Sequence, residues 1–269
     1  GRAELDAYDL VNPRYGELRE GTAVLVYVTE TFTRAQRVKT DGGHQDEYPV
    51  IKLNDVRDFP TGIYDYNVMT STFVPLDGHL PLGLPTKVSL SVQEWCGHVY
   101  DQLIVDPGQL QRVRHSYFDG EADGSWVEAI PEGAVFGDAL PLLVRGLAGT
   151  LVEPGETRTV PYLPTLLDTR LAHQPLVWQE VTLSRSAGPR MVQVPVGPVE
   201  VFTITSRVTD GPETTWDVEV APPHRLMGWS RSTGEVAVLR GTLRNDYWNH
   251  NDPAGKELLS EMGFAPSGD

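Results

Sequence analysis

The apolar residues of this chain fall mainly in short runs with a period of two, the spacing of side chains on one face of a β-strand. Val88, Leu90 and Val92 share one face of such a run, and Ser89, Ser91 and Gln93 the other. Trp216, Val218 and Val220 alternate in the same way with Thr215, Asp217 and Glu219. Residues 23–28 (Ala-Val-Leu-Val-Tyr-Val) are continuously apolar, as in a strand covered on both faces. Residues 50–53 and 62–74 are rich in β-branched and aromatic residues and read as further strands. Residues 113–118 read as a strand returning from a turn at Pro107-Gly108. Four more runs, 199–208, 214–220, 226–230 and 235–243, form a meander punctuated by Asp210-Gly211-Pro212 and Ser232-Thr233-Gly234.

Helical signals are few. Asp138 is placed to cap a short helix with Leu140, Leu143, Val144 and Leu147 on one stripe. Asp252 and Pro253 stand at the N-cap and first position of another, with Leu258, Leu259 and Met262 as its apolar stripe and Gly263 as its stop. Residues 1–21 are polar, and Leu5, Tyr8 and Val11 fit a short helix or an irregular strand. The total is roughly ten strands and two or three short helices. That predicts a mostly β protein: a large antiparallel curved sheet, an open barrel or a sandwich. Residues 1–269 are expected to form one β-rich domain. Two sub-regions, 1–150 and 165–269, would be joined by a crossover where Pro and Gly crowd residues 153–164.

Composition narrows the function classes. The chain has 269 residues, 40% hydrophobic and 22% charged, which is a foldable balance. Its 26 glycines and 21 prolines suit many turns between short strands. A net charge of -15 repels phosphate backbones and anionic headgroups, so nucleic acid is not an expected partner. One cysteine, Cys96, excludes an intrachain disulfide. No apolar run approaches the ~20 residues of a membrane helix, and no signal peptide is seen. The sequence opens on Gly1 rather than methionine, and a lipid anchor upstream of it is an expectation.

The densest chemistry lies in Gln93-Glu94-Trp95-Cys96-Gly97-His98-Val99-Tyr100. A strand continuing in phase would put Glu94, Cys96, His98 and Tyr100 on one face, with roughly 6–7 Å between neighbours. A bulge at Gly97 would bring thiol and imidazole closer. A thiolate beside histidine is a nucleophile, and the same pair can ligate a metal with His115. Pairing with the strand that carries His115 and Tyr117 would gather Glu94, Cys96, His98, His115 and Tyr117 into one patch. The alternative is that Cys96 and His98 are packed structural residues. Asp119, Glu121 and Asp123, with Gly124 after them, match the start of a calcium loop and are the candidate ligands for a divalent cation. The closing bidentate glutamate is missing, because Ile130 stands there, and an acidic turn gives the same pattern.

Four stretches together resemble a family of uncharacterised bacterial exported proteins, many with lipoprotein-type N-termini. They are residues 14–21, 62–66 with 69–71, 93–100 and 115–121, of which Trp95-Cys96-Gly97-His98 is the most specific. The resemblance implies an envelope location and a β-rich fold, and assigns no activity. Two functions stay open. One is a non-catalytic extracytoplasmic protein that binds an apolar ligand or docks on a membrane-associated complex. The other is an enzyme or metal-binding protein built on Cys96, His98 and His115.

Overall fold

The computed structural model of the chain describes residues 1–264. Its first half is an antiparallel meander of β1 (Ala3–Arg14), β2 (Glu17–Thr33), β3 (Glu47–Thr61), β4 (Tyr64–Pro75), β5 (Lys87–Glu94), β6 (Gly97–Asp106), β7 (Gln109–Ser116) and β8 (Gly124–Ala129). Next come β9 (Val135–Phe136), helix α1 (Leu140–Leu143), β10 (Thr157–Leu163) and helix α2 (Leu166–Ala172). Strands β11 (Gln179–Arg185), β12 (Arg190–Val194), β13 (Gly197–Val208), β14 (Glu213–Glu219), β15 (Leu226–Arg231) and β16 (Val236–Asn245) follow, and helix α3 (Leu258–Glu261) comes last.

All these strands belong to one large, mostly antiparallel sheet that is not closed into a barrel. The meander joins the second half where β1 pairs with β16, from Ala3 opposite Asn245 to Val11 opposite Val236. The sheet's edges are β8 and β9, and β12 pairs on the flank of β13. Six Cα steps take the chain from Ala129 at one edge to Val135 at the other. Six steps reach at most about 20 Å. The sheet is therefore curled until its edges stand near each other without pairing.

The curl gives an inner and an outer face. Tyr8, Leu10, Leu25, Leu53, Val68, Leu90, Leu103, Leu183, Ile204, Val218 and Leu239 belong to one continuous core cluster. Helices α1 and α2 add Leu140, Leu143, Leu166 and Leu167 to it. On the outer face, Ala3, Leu5, Ala7 and Val26 pack against Met262 just after α3.

Several expectations change. Residues 1–21 contain no helix. β1 is a strand covered on both faces, with Leu5 under Met262 and Tyr8 in the main core, so its apolar spacing does not show period two. Tyr15 and Gly16, both at positive φ, form the tight turn into β2. The crowded stretch at 153–164 holds strand β10 rather than a bare connector, and the passage between edges runs through residues 130–134 instead. Asp138 does not cap its own helix: it accepts from the Leu166 amide, 3.2 Å away, at the start of α2. At the C-terminal end, Asp252 accepts from the Gly255 amide and Gly263 has φ of +80°, as the sequence signals require.

Candidate functional site

The sequence-predicted patch lies on hairpin tips. The strand does not run through Cys96, because Glu94 pairs with Gly97 and the chain reverses at Trp95-Cys96. Reversal moves the inward phase of β6 to Val99, Asp101, Leu103 and Val105, and turns His98 and Tyr100 outward. Cys96 is exposed, and its backbone amide donates to Glu94 Oε2 at 2.7 Å. The Glu94 carboxylate accepts from the thiol and repels a thiolate, so the Cys96 pKa is raised. That is the reverse of nucleophile activation. His98 faces Gln93 in the register, while Tyr100 faces His115 across β6 and β7. The Tyr117 ring lies over Gly97, where an added Cβ would fall 2.7 Å from ring carbons. Among the described residues no hydrogen bond joins Cys96 to His98 or His115.

The acidic loop is held by histidines. His115 Nδ1 stands 3.1 Å from Asp123 Oδ2, and Ser116 donates its amide to Asp123 Oδ1 at 3.2 Å. The His115 ring, followed by the Ser116 amide, lowers the Asp123 pKa. Glu121 pairs with His173 at the C-terminus of α2 and accepts from the Ser116 hydroxyl at 3.3 Å. Asp119 is exposed beside them. Among the described residues, no three His, Cys, Asp or Glu side chains come close enough together to hold a metal ion.

A second collection of polar side chains lies inside the curl, around a cavity of about 540 Å³. The size is within the range of small-molecule sites. Leu53, Leu140, Leu167, Val208, Trp216 and Trp229 provide apolar wall. Its exposed lining residues Tyr15, Gly16, Thr233, Gln174 and Pro175 mark where it meets solvent. Antiparallel pairing places the β1–β2, β3–β4, β5–β6, β7–β8 and β15–β16 connections at that same end. The Cys96 turn therefore stands at the end where the cavity opens.

Through the cavity wall runs a ladder of five alternating charges. Arg57 holds Asp55 in a fork, Nε to Oδ1 at 3.0 Å and Nη2 to Oδ2 at 2.8 Å. Its Nη1 donates to Glu235 Oε1 at 3.0 Å. Glu235 also accepts from Trp229 Nε1 at 2.6 Å and from Arg231 Nη1 at 3.4 Å. Arg231 holds Asp168 in a second fork, with distances of 2.6 and 3.0 Å. Burial lowers the pKa of each arginine, but the neighbouring carboxylates outweigh it and the net shift is upward. Both guanidiniums stay charged. Bidentate geometry of this kind offsets desolvation where a looser pair would not.

Asp138 stands apart from the ladder in the same wall. Burial, reinforced by Asp168, Asp55 and Asp101, pushes its pKa up to about 8 against the single lowering hydrogen bond from Leu166. The shift favours its protonated, uncharged form. Sequence reasoning missed the ladder, although a signal exists. Counting by two from Leu53 toward Phe59 puts Asp55 and Arg57 on the core face of β3, where charge needs an explanation.

The comparisons bring no relatives: no protein-family model, no curated protein and no solved structure matches the chain.

Proposed function

We propose that this protein is a non-catalytic carrier that holds an apolar ligand in the cavity enclosed by its curled sheet, at the bacterial cell envelope. The observation that carries the reading is the cavity itself: about 540 Å³, walled by leucines and tryptophans, opening at one end of the molecule. Apolar walls favour an apolar body by removing its surface from water, at about 25 cal/mol per Å². The envelope setting rests on the family resemblance and is tested by fractionating native cells.

The experiment is titration of the native chain with the uncharged fluorophore N-phenyl-1-naphthylamine. A saturable rise in emission at one probe per chain is expected. Bound probe should also raise the unfolding midpoint, since a ligand at about a hundred times its Kd adds roughly 2.7 kcal/mol. Leu167→Trp, which fills cavity space from α2, should abolish both effects. Absence of saturable binding by the native chain would overturn the carrier reading.

Docking on a membrane-associated partner is the second reading, favoured by the hairpin tips around the cavity mouth. Tyr15, Leu18, Ile63, Trp95 and Tyr117 are 59 to 83% exposed there. Large apolar side chains gathered at one end suit a contact surface. If they form one, Ile63→Ser with Trp95→Ser should move the protein from the membrane fraction to the soluble fraction. An unchanged distribution argues against docking through these tips.

A further inference from the structure

Resting on the carrier reading, we infer that the ligand is an anionic amphiphile, an apolar chain that fills the cavity and ends in a single carboxylate, and that Arg14 receives that carboxylate at the mouth.

The charge balance of the wall leads to this class. Three arginines line the cavity: Arg14, Arg57 and Arg231. Arg57 is held by Asp55 and Glu235, and Arg231 by Asp168 and Glu235, so carboxylates meet both charges. Arg231 Nε is left without a partner, yet both of its Nη atoms are on Asp168. Arg14 differs. It is 9% exposed, and among the described residues no carboxylate pairs with it. Its Nε and Nη2 donate to the Tyr66 hydroxyl at 3.3 and 2.9 Å, and Nη2 also to the Tyr15 hydroxyl at 3.3 Å. Nη1 donates to the Leu171 carbonyl at 2.7 Å. All of these acceptors are uncharged. Nη1 carries two N–H groups and makes one hydrogen bond among the described residues, so one donor is left for a ligand.

A second arginine without a carboxylate stands beside the first. Arg170, next to Leu171 on α2, is buried; its Nε has no partner and its Nη1 meets only the His173 ring, at 3.3 Å. Burial lowers its pKa, and Arg14 adds to that effect against the opposite pull of Glu121, Tyr66 and Glu94, so the two guanidiniums feel each other's charge. The chain has 37 acidic and 22 basic residues, so carboxylates are not scarce. A buried charge without an opposite partner is costly, and a carboxylate brought by a ligand recovers the difference through charge-assisted hydrogen bonds. Position fits a head held at the mouth and a chain pointing inward. Along β1, Arg14 lies six residues beyond Tyr8, beside the Tyr15-Gly16 turn, and the register sets Tyr8 level with Ala23 and Arg57. Six residues of strand span roughly 20 Å. The ladder is therefore deep and Arg14 shallow. Three ladder carboxylates against two guanidiniums leave one negative charge in excess below, which keeps an anionic head from descending. Each of those carboxylates already holds a guanidinium, so a cationic head finds none unpaired.

The test is competition against N-phenyl-1-naphthylamine on the full chain, using dodecanoate, dodecanol and dodecylammonium at neutral pH. Dodecanoate should displace the probe at about a tenth of the concentration that either of the others needs. Arg14→Met should still bind the probe and lose the preference. Arg14→Lys keeps the charge without the planar fork and should retain only part of it. Arg170→Met should weaken dodecanoate several-fold and leave dodecanol unchanged. Equal displacement by all three competitors, or preference for dodecanol or dodecylammonium, overturns the ligand class and leaves the carrier reading standing. A dodecanoate preference undiminished in Arg14→Met removes Arg14 from the role. If Arg14→Met does not fold, an undiminished preference in both Arg14→Lys and Arg170→Met overturns the inference in the same way. Failure of the probe to bind the native chain at all overturns the carrier reading and this inference with it.

Discussion

Two groups of ionisable side chains lie at the same end of this molecule, a few strands apart. On the rim, Glu94, Cys96, His98, His115 and Asp123 occupy hairpin tips in contact with water. Inside, Asp55, Arg57, Glu235, Arg231, Asp168 and Asp138 line a cavity. The residue types are equally suited to chemistry, yet their energetics differ. A charge on the rim keeps its hydration, and an exposed ion pair contributes about 0–1 kcal/mol. Each charge inside has lost hydration worth several kcal/mol and depends on its partners to recover it. Reactive residue types that look dense in the sequence can be the ordinary furniture of tight turns. Charges held in a wall of leucine and tryptophan need a stronger reason. Desolvation, more than motif density, marks where this fold is specialised.

The largest predicted effect separates the two groups directly. Arg57→Met removes the fork on Asp55 and one donor from Glu235, leaving carboxylate charge buried without compensation. The expected cost is about 3–5 kcal/mol in urea unfolding. Arg207→Met, on the surface of β13, breaks the exposed pair with Glu213 and should cost less than about 1 kcal/mol. Similar shifts for the two variants would break the comparison, because the interior ladder would then be no more dependent on its pairs than the surface.

The next effect is smaller and has a sign that depends on pH. Asp138 binds its proton up to about 8 in the folded state and up to an ordinary carboxylate value of 3.8 when unfolded. Between those values the folded state holds more protons than the unfolded one, so stability falls as pH rises through that window. Asp138→Asn has no proton to lose. It should therefore be more stable than the wild type near pH 8, by something on the order of 3 kcal/mol, and the gap should close toward pH 4. Thermal midpoints across the range are the measurement. An asparagine variant with no advantage at alkaline pH would show that Asp138 is hydrated and ordinary, like the rim acids. The predicted gain also bears on function, since an aspartate kept where an amide is more stable is the kind of exchange found at binding sites.

Much of the sheet was legible in the sequence where one face is wet. Val88, Leu90 and Val92 alternate with serines because β5 has a core side and a polar side, and the same holds for Trp216 and Val218 on β14. Legibility failed where both faces are covered. Leu5, Tyr8 and Val11 show a spacing of three because Leu5 serves the outer cluster and Tyr8 the inner one. It failed again in β10, whose run Thr157-Arg-Thr-Val-Pro-Tyr-Leu163 carries a proline next to other turn formers, and whose strand identity comes from its partners β9 and β11. The candidate site was less legible still. Asp55, Glu235 and Asp168 come from distant segments, and only the curl of the sheet brings them to two arginines. Cys96, by contrast, was conspicuous because it is the chain's one cysteine, while the Trp95-Cys96 reversal depends on pairing between β5 and β6 that no local spacing reveals.

The smallest expected effect sharpens the other side of the comparison. Cys96 is exposed, so access does not limit its modification. Its reactivity is governed by the Glu94 carboxylate, which raises the thiol pKa and lowers the thiolate fraction at neutral pH. Iodoacetamide should therefore alkylate the native chain more slowly than it alkylates glutathione at the same pH. Glu94→Gln removes the negative charge while keeping the side chain's length, and should speed the reaction a few-fold. Cys96→Ser should leave the unfolding midpoint and the uptake of N-phenyl-1-naphthylamine unchanged, because the thiol touches neither core nor cavity wall. Rapid alkylation of the wild type, unaffected by Glu94→Gln, would mean that a cation on the rim activates the thiolate. The division between a screened rim and a specialised interior would then have to be redrawn around Cys96.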